Sequence, residues 1–262
     1  MPEQQTNSST PVMLRVYDSD KIGSTAFFRN PPLLAALVKQ FRASGKDVLN
    51  VLFHACSIGA EPYSLAAYAA MTGLDAHVRL NIHATDINPN FVAHARAAIY
   101  PEGVLAGMSE AERACFEPHA PGLVRVRPDI AARVNFLPAA SFVDFLSDQE
   151  FDVVCVLNAL TYVSAEQQST TLHNIAAYNS WLLVASAFHP DSIESDVVAC
   201  GYEPVTDDIQ AIHDAWVERI RHNMTAQPGS PEYSWMLPPF APVEGHEYKY
   251  CALFQKRLDG KT

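Results

Sequence analysis

The chain has 262 residues, with 29 acidic against 18 basic side chains, a formal net charge of −11 at neutral pH. That balance argues against a nucleic-acid backbone as partner, which needs a basic patch. No apolar run approaches the roughly 18 residues of a membrane span, and Met1–Pro11 lacks the apolar stretch of a secretory signal. Cys56, Cys115, Cys155, Cys200 and Cys251 are dispersed and form no C-x-x-C pair. They read as reduced core thiols of a cytoplasmic protein, with no metal site.

Met1 to Gly23 is mostly polar and is expected to be an arm ending near residue 24, with Val12–Tyr17 as a possible short strand. Thr25-Ala-Phe-Phe-Arg29 leads into an amphipathic helix over Pro32–Ala43, with Leu33, Leu37 and Phe41 on one stripe. An apolar run from Val48 to Phe53 then predicts a strand buried on both faces. It passes through small residues (Ala55, Cys56, Ser57, Gly59, Ala60) and restarts as a helix to Met71. Pro62 suits a first helical position, and Glu61 lies where the helix dipole favours negative charge. Strand, small-residue turn and helix are the first unit of a doubly wound sheet, whose ligands bind beyond the carboxyl ends of the strands. The G-x-G-x-x-G dinucleotide fingerprint is absent.

Val78–Ala84 alternates as a partly exposed strand and ends in Thr85-Asp86-Ile87-Asn88. An acidic residue at the tip of the second strand, roughly 20 or more positions beyond the first turn, is placed to accept both ribose hydroxyls of an adenosine. Asp86 also reads as the cap of the next helix, Asn90–Ile99, although Asn88 can cap instead. An irregular stretch follows over 101–134, with Leu123–Arg127 alternating as a strand. Asp129–Phe136 is expected to return to the main sheet as its third strand. Phe151–Leu157 is nearly all apolar and fits the sheet centre, delivering Asn158 and then Tyr162 at its carboxyl end. A helix over Ala165–Tyr178 and strands at Trp181–Ala187, Gly201–Val205 and Glu247–Lys256 complete a seven-stranded, mostly parallel α/β sheet. Between the last two strands, 206–245 holds a helix over Ile209–Asn223 with Ile212, Trp216 and Ile220 on one face, then a proline-rich loop. That insertion reads equally as an acceptor lid or a packed brace.

Four blocks together resemble the chemotaxis-receptor glutamate methyltransferases (the CheR type). They are Thr25-Ala-Phe-Phe-Arg-Asn30, Ser57-Ile-Gly-Ala-Glu-Pro-Tyr-Ser64, Ala84-Thr-Asp-Ile-Asn88 with Ala95 and Tyr100, and Phe151–Tyr162. They occur in the family's order over roughly residues 20–190. The resemblance implies a Rossmann-like class I methyltransferase fold over 25–262, with a small antiparallel insertion at about 101–134. It implies S-adenosylmethionine as cofactor, lined by Thr25, Arg29, Ser57, Gly59, Glu61, Asp86, Ile87, Ala140 and Asn158. It also implies that Arg29 and Tyr162 face the methyl acceptor. The chain departs from the family's usual residues at Gly23, Ile58, Ala60, Ala140 or Ser141, and Leu157.

Methyl transfer from a sulfonium is an in-line displacement, so the enzyme chiefly aligns the acceptor and excludes water. A carboxylate acceptor is already ionised and needs only an orienting cation or hydroxyl, which Arg29 and Tyr162 supply. A hydroxyl or ammonium acceptor needs a base, for which His54 and His189 stand at strand ends. The family usually carries an additional helical domain ahead of these blocks. Its expected absence here, with the extra C-terminal segment, tilts the reading toward a small-molecule acceptor under the 206–245 insertion. A protein glutamate acceptor, as the resemblance implies, is the alternative; a cofactor-binding sensor without turnover is a third.

Overall fold

A computed structural model describes residues 11–18, 21–186, 194–226 and 253–257. It begins with an antiparallel hairpin, β1 (Leu14–Asp18) and β2 (Lys21–Thr25), in register from Leu14 opposite Thr25 to Asp18 opposite Lys21. The short strand expected within Val12–Tyr17 is β1, and residues 21–23 of the expected arm lie in β2. Leu14 and Val16 pack against the main core, and the Asp18 carboxylate accepts from the side-chain amides of Asn88 and Asn90. Burying apolar surface and satisfying a polar tip together hold a hairpin that would be marginal in isolation.

The doubly wound part follows. Helix α1 (Pro31–Ala43) is capped by Asn30, whose Oδ1 accepts the Leu33 N–H at 3.0 Å. Then come β3 (Val48–His54), α2 (Ala60–Met71), β4 (Arg79–Ala84) and α3 (Pro89–Ala97). A three-stranded antiparallel unit is built from β5 (Ile99–Pro101), β6 (Phe116–Ala120) and β7 (Leu123–Val126), with α4 (Glu110–Arg113) before β6. After it run α5 (Pro128–Ala131), β8 (Val134–Phe136), β9 (Val153–Leu157), α6 (Ala165–Ala177) and β10 (Leu182–Ser186). The last described elements are α7 (Glu194–Ala199), β11 (Tyr202–Pro204), α8 (Ile209–Ala226) and β12 (Leu253–Lys256).

The seven-stranded sheet has the order β11-β12-β10-β9-β3-β4-β8. Strands β8, β4, β3, β9 and β10 are parallel, and β12 inserts antiparallel to both β10 and β11. The chain winds outward from β3 through β4 to β8, then returns to β9 on the other side of β3. The switch point, where ligands of such sheets bind, therefore lies at the carboxyl ends of β3 and β9. The sheet is buried on both sides because residue alternation in β3 feeds two cores. Leu49, Val51 and Phe53 join one cluster with α1, α2 and α3, while Leu52 joins a second with Val154, Val156, Leu172 and Ile175.

Two local expectations are corrected. Asp129–Phe136 is not one strand, because Pro128 starts a short helix with Asp129 in its first turn and only Val134–Phe136 joins the sheet. Helix α2 begins at Ala60, so Pro62 is its third residue, still within the turn whose N–H groups lack intrahelical partners. The helix of the expected lid is α8, which lies on α1, with Lys39 paired to Asp207 and Asp208. The lid's remainder, 227–245, and His189 lie outside the described residues. Among the described residues, no helix is long and apolar enough to cross a membrane.

Candidate active site

Three segments meet at the carboxyl ends of β3 and β4: the turn 55–59, the tip 85–88, and the run 25–30 leaving the hairpin. The turn alternates handedness, with Ala55, Ser57 and Gly59 at φ of 50°, 49° and 88°. Left-handed backbone costs a non-glycine residue on the order of 1–2 kcal/mol, so the surroundings must hold it. Here Cys56 N–H donates to Thr85 O at 3.0 Å, Gly59 N–H to Cys56 O at 2.9 Å, and Ser57 N–H to Asp86 Oδ2 at 2.8 Å. Tyr100, fully buried, donates its hydroxyl to Ile58 O at 2.6 Å. At Gly59 a Cβ would stand 2.9 Å from Ala95 Cβ and 3.1 Å from the Phe136 ring, so neighbours as well as φ demand glycine.

Glu61 occupies the first turn of α2, and its carboxylate meets two residues of the run 25–30. Its Oε1 lies 3.2 Å from Arg29 Nη1, and Thr25 donates to Oε2 at a long 3.4 Å. Both partners of the ion pair are nearly enclosed, with side-chain exposures of 11% for Arg29 and 10% for Glu61. Enclosure makes such a pair geometrically demanding, and Arg29 Nε is buried with no hydrogen-bond partner among the described residues. The run is anchored by Phe27, edge-on to Tyr100 at 4.8 Å and to Phe116 at 4.9 Å. Phe28 is buried too and sits at φ 48°, with its N–H donated to Ser64 Oγ at 2.8 Å.

Asp86 faces this cluster from the neighbouring strand tip. Its two oxygens accept the N–H groups of Ser57 and Asn88, the latter at 2.9 Å. Burial pushes its pKa up, against the downward pull of the backbone N–H groups of Asn88, Ser57 and Ile87. The capping ambiguity is resolved by Asn88, which caps α3 through Asn90 N–H and leaves Asp86 to the turn. Ile87 protrudes beside it at 56% exposure, and Ala140 reaches the same tip by donating its N–H to Asp86 O at 3.0 Å. Asn158 follows β9 at φ 56°, and the short 3₁₀ turn after it leaves Tyr162 77% exposed.

The structure thus joins Thr25, Arg29 and Glu61 in one cluster and Ser57, Asp86 and Ala140 in another, with Gly59 between them. His54 is not a usable base. It is buried edge-on against Phe145, neither ring nitrogen has a hydrogen-bond partner among the described residues, and burial takes its pKa down to about 3. Gly23, noted from the sequence only as a departure from the family's usual residue, lies against the turn, where a Cβ would stand 2.5 Å from Ser57 Oγ and 2.9 Å from the Phe91 ring. Sequence reasoning gave no role to Ser64, though a serine one turn after Glu61 on the same helix face was a readable signal.

Residues 23–184 match the model of the CheR methyltransferase SAM-binding domain. The chain belongs to this S-adenosylmethionine-binding family. Over 184 residues it is 28% identical to chemotaxis protein methyltransferase 1 of Vibrio cholerae serotype O1, covering 66% of each chain. Over 161 residues it is 33% identical to the chemotaxis protein methyltransferase of Escherichia coli K12, covering 56% of this chain and 53% of that one. The chain spans between half and two thirds of the length of these relatives. Among solved structures it resembles the N-methyltransferase NodS of Bradyrhizobium japonicum in complex with S-adenosyl-L-homocysteine, at 15% identity and a TM-score of 0.42, covering 68% of this chain and 79% of that one.

Proposed function

We propose that this chain is an S-adenosylmethionine-dependent methyltransferase whose acceptor is a carboxylate, the side chain of a protein glutamate. The observation that carries the reading is the enclosed Thr25–Arg29–Glu61 cluster, one strand away from Asp86 at the switch point. The residues present fit the cofactor: Arg29 Nε and Ser57 Oγ are buried polar atoms with no hydrogen-bond partner among the described residues, available to a polar ligand at this turn. Glu61 with Thr25 would hold the cofactor's ammonium, and Asp86 its ribose hydroxyls. Ser57, Gly59, Ile87, Ala140 and Asn158 would complete the walls. When bound, the cofactor supplies a methyl group on a sulfonium that leaves as a neutral thioether.

Arg29 and exposed Tyr162 then orient the acceptor. With the cofactor held there, a carboxylate acceptor would take its methyl group on oxygen with no proton to remove, so these residues need only orient it. That chemistry suits a site whose nearby histidine is neutral and sealed off. The small-molecule acceptor is the weaker reading, because chemotaxis protein methyltransferases are among the relatives matched across the site. The test is methyl-labelled cofactor offered separately to glutamate-bearing peptides and to a small-metabolite pool. Base-labile label on peptide, released as methanol, is the expected result; label confined to the metabolite pool would replace the protein acceptor with a small one.

A further inference from the structure

The guanidinium of Arg29 is aimed by contacts on both of its chain neighbours, and one of them comes from beyond the family match. On one side, Phe28 is held in the left-handed region, an unfavourable place for a bulky residue. Its N–H is received by Ser64 Oγ at 2.8 Å, while the Ser64 hydroxyl donates to Ala60 O at 2.7 Å. The hydroxyl proton is therefore committed to the helix and a lone pair is left for Phe28. Ser64 is buried and lies one helical turn after Glu61, so a single face of α2 holds Phe28 by its backbone and Arg29 by its charge. The reversal at Phe28 lets Phe27 and Phe28 both enter the core while Arg29 turns to Glu61. On the other side, Asn30 caps α1 with its Oδ1 and donates its Nδ2 to Ile212 O on α8 at 3.0 Å. Helix α8 lies outside residues 23–184.

We infer that Ser64 and Asn30 are positioning residues for Arg29, and that α8 is part of the site as the brace Asn30 pulls against. The inference rests on the proposed role of Arg29, and it assigns the two residues a function that their burial and capping alone do not require.

The test uses the full chain with arginine labelled in ¹⁵N, reading exchange of the Arg29 Nε–H with water; its signal is assigned by its loss in Arg29→Lys. In the ligand-free parent the exchange should be slow. Ser64→Ala should speed it by about tenfold or more through local opening, and Asn30→Ser should speed it too, since serine keeps the cap and removes the side-chain amide that donates to Ile212 O. Ser64→Thr, which retains the hydroxyl, should restore slow exchange. Calorimetry with S-adenosylhomocysteine supplies the second reading. Ser64→Ala should weaken binding about three- to tenfold in the parent and leave it unchanged in an Arg29→Lys background, because both changes remove one coupled interaction. Unaltered exchange in folded Ser64→Ala, or equal loss of affinity in both backgrounds, overturns the inference. If Ser64→Ala does not fold, Asn30→Ser decides by the same exchange measurement. A parent that fails to bind S-adenosylhomocysteine removes the cofactor reading, while exchange in the ligand-free protein still decides the positioning.

Discussion

Asp86 Oδ2 accepts the N–H of Ser57 at 2.8 Å, so the tip of β4 and the turn after β3 form one hydrogen-bonded unit. Removing the carboxylate should affect ligand and turn together. Asp86→Ala is expected to lose roughly 1.5–3 kcal/mol of S-adenosylhomocysteine binding, about ten- to a hundred-fold in affinity. The left-handed Ser57 loses its restraint in the same variant, so the urea midpoint should also fall. Calorimetry and denaturation on the same sample check both; unchanged affinity removes Asp86 from the cofactor site.

The raised pKa of Asp86 has a sign that can be measured. A carboxyl whose folded pKa lies above its unfolded value binds more protons when folded, so its contribution to stability declines as pH rises through that interval. A ligand that hydrogen-bonds the ionised form acts the other way and lowers the pKa. Binding of S-adenosylhomocysteine should therefore release protons and weaken on acidification below neutrality. Asp86→Asn should lose that pH dependence, as seen by calorimetry in buffers of different ionisation enthalpy.

His54 predicts acid sensitivity. Its folded pKa of about 3 lies below the ordinary value, so the unfolded chain takes up the proton first and stability falls as pH drops from about 6.5 toward 3. By linkage the loss attributable to His54 at pH 5 is about 2 kcal/mol. His54→Phe keeps a ring against Phe145 and removes the two buried ring nitrogens at this position. Urea unfolding at pH 5 and pH 7.5 should show a smaller difference in this variant by about that amount.

Gly59→Ala should damage the turn. The new Cβ meets Ala95 and Phe136 at a φ of 88°, combining overpacking with backbone strain. A loss of roughly 1–3 kcal/mol in stability is expected. Weakened cofactor binding should accompany it, because Gly59 sets the start of α2 and so the position of Glu61. A variant as stable as the parent would show that this turn has slack the distances do not indicate.

Arg29→Lys should fold normally and lose most turnover, because lysine cannot reproduce the planar fork that grips a carboxylate. Only part of the loss should appear as S-adenosylhomocysteine affinity. The remainder should fall on acceptor KM and kcat together, since orientation is what the arginine supplies. Tyr162→Phe, at an exposed position, should leave stability unchanged and lower kcat/KM alone. Steady-state kinetics with an unmethylated glutamate-bearing peptide as acceptor, beside thermal melts, separates these outcomes.

Sequence alone determined the winding of the sheet, because residue period and apolar runs are local properties. The run Val48–Phe53, broken only by Asn50, read as a strand buried on both faces, and small residues followed by a helix read as a turn at its carboxyl end. Glu61 and Asp86 stood out from their places in those units, whereas Arg29 stood out only through the resemblance; the proximity of Arg29 to Glu61 came from the fold. Tertiary structure decided whatever depended on partners distant in the chain. The hairpin over 14–25 exists because Leu14 and Val16 find the core and Asp18 finds Asn88 and Asn90, contacts that a polar arm gives no hint of. His54 read as a candidate base until burial against Phe145 removed its basicity, since a pKa follows from surroundings and not from strand position. The bond from Asn30 to Ile212 spans most of the chain and showed in neither local pattern. It was invisible because a backbone carbonyl carries no side-chain signature, and only folding brings it to the residue beside Arg29.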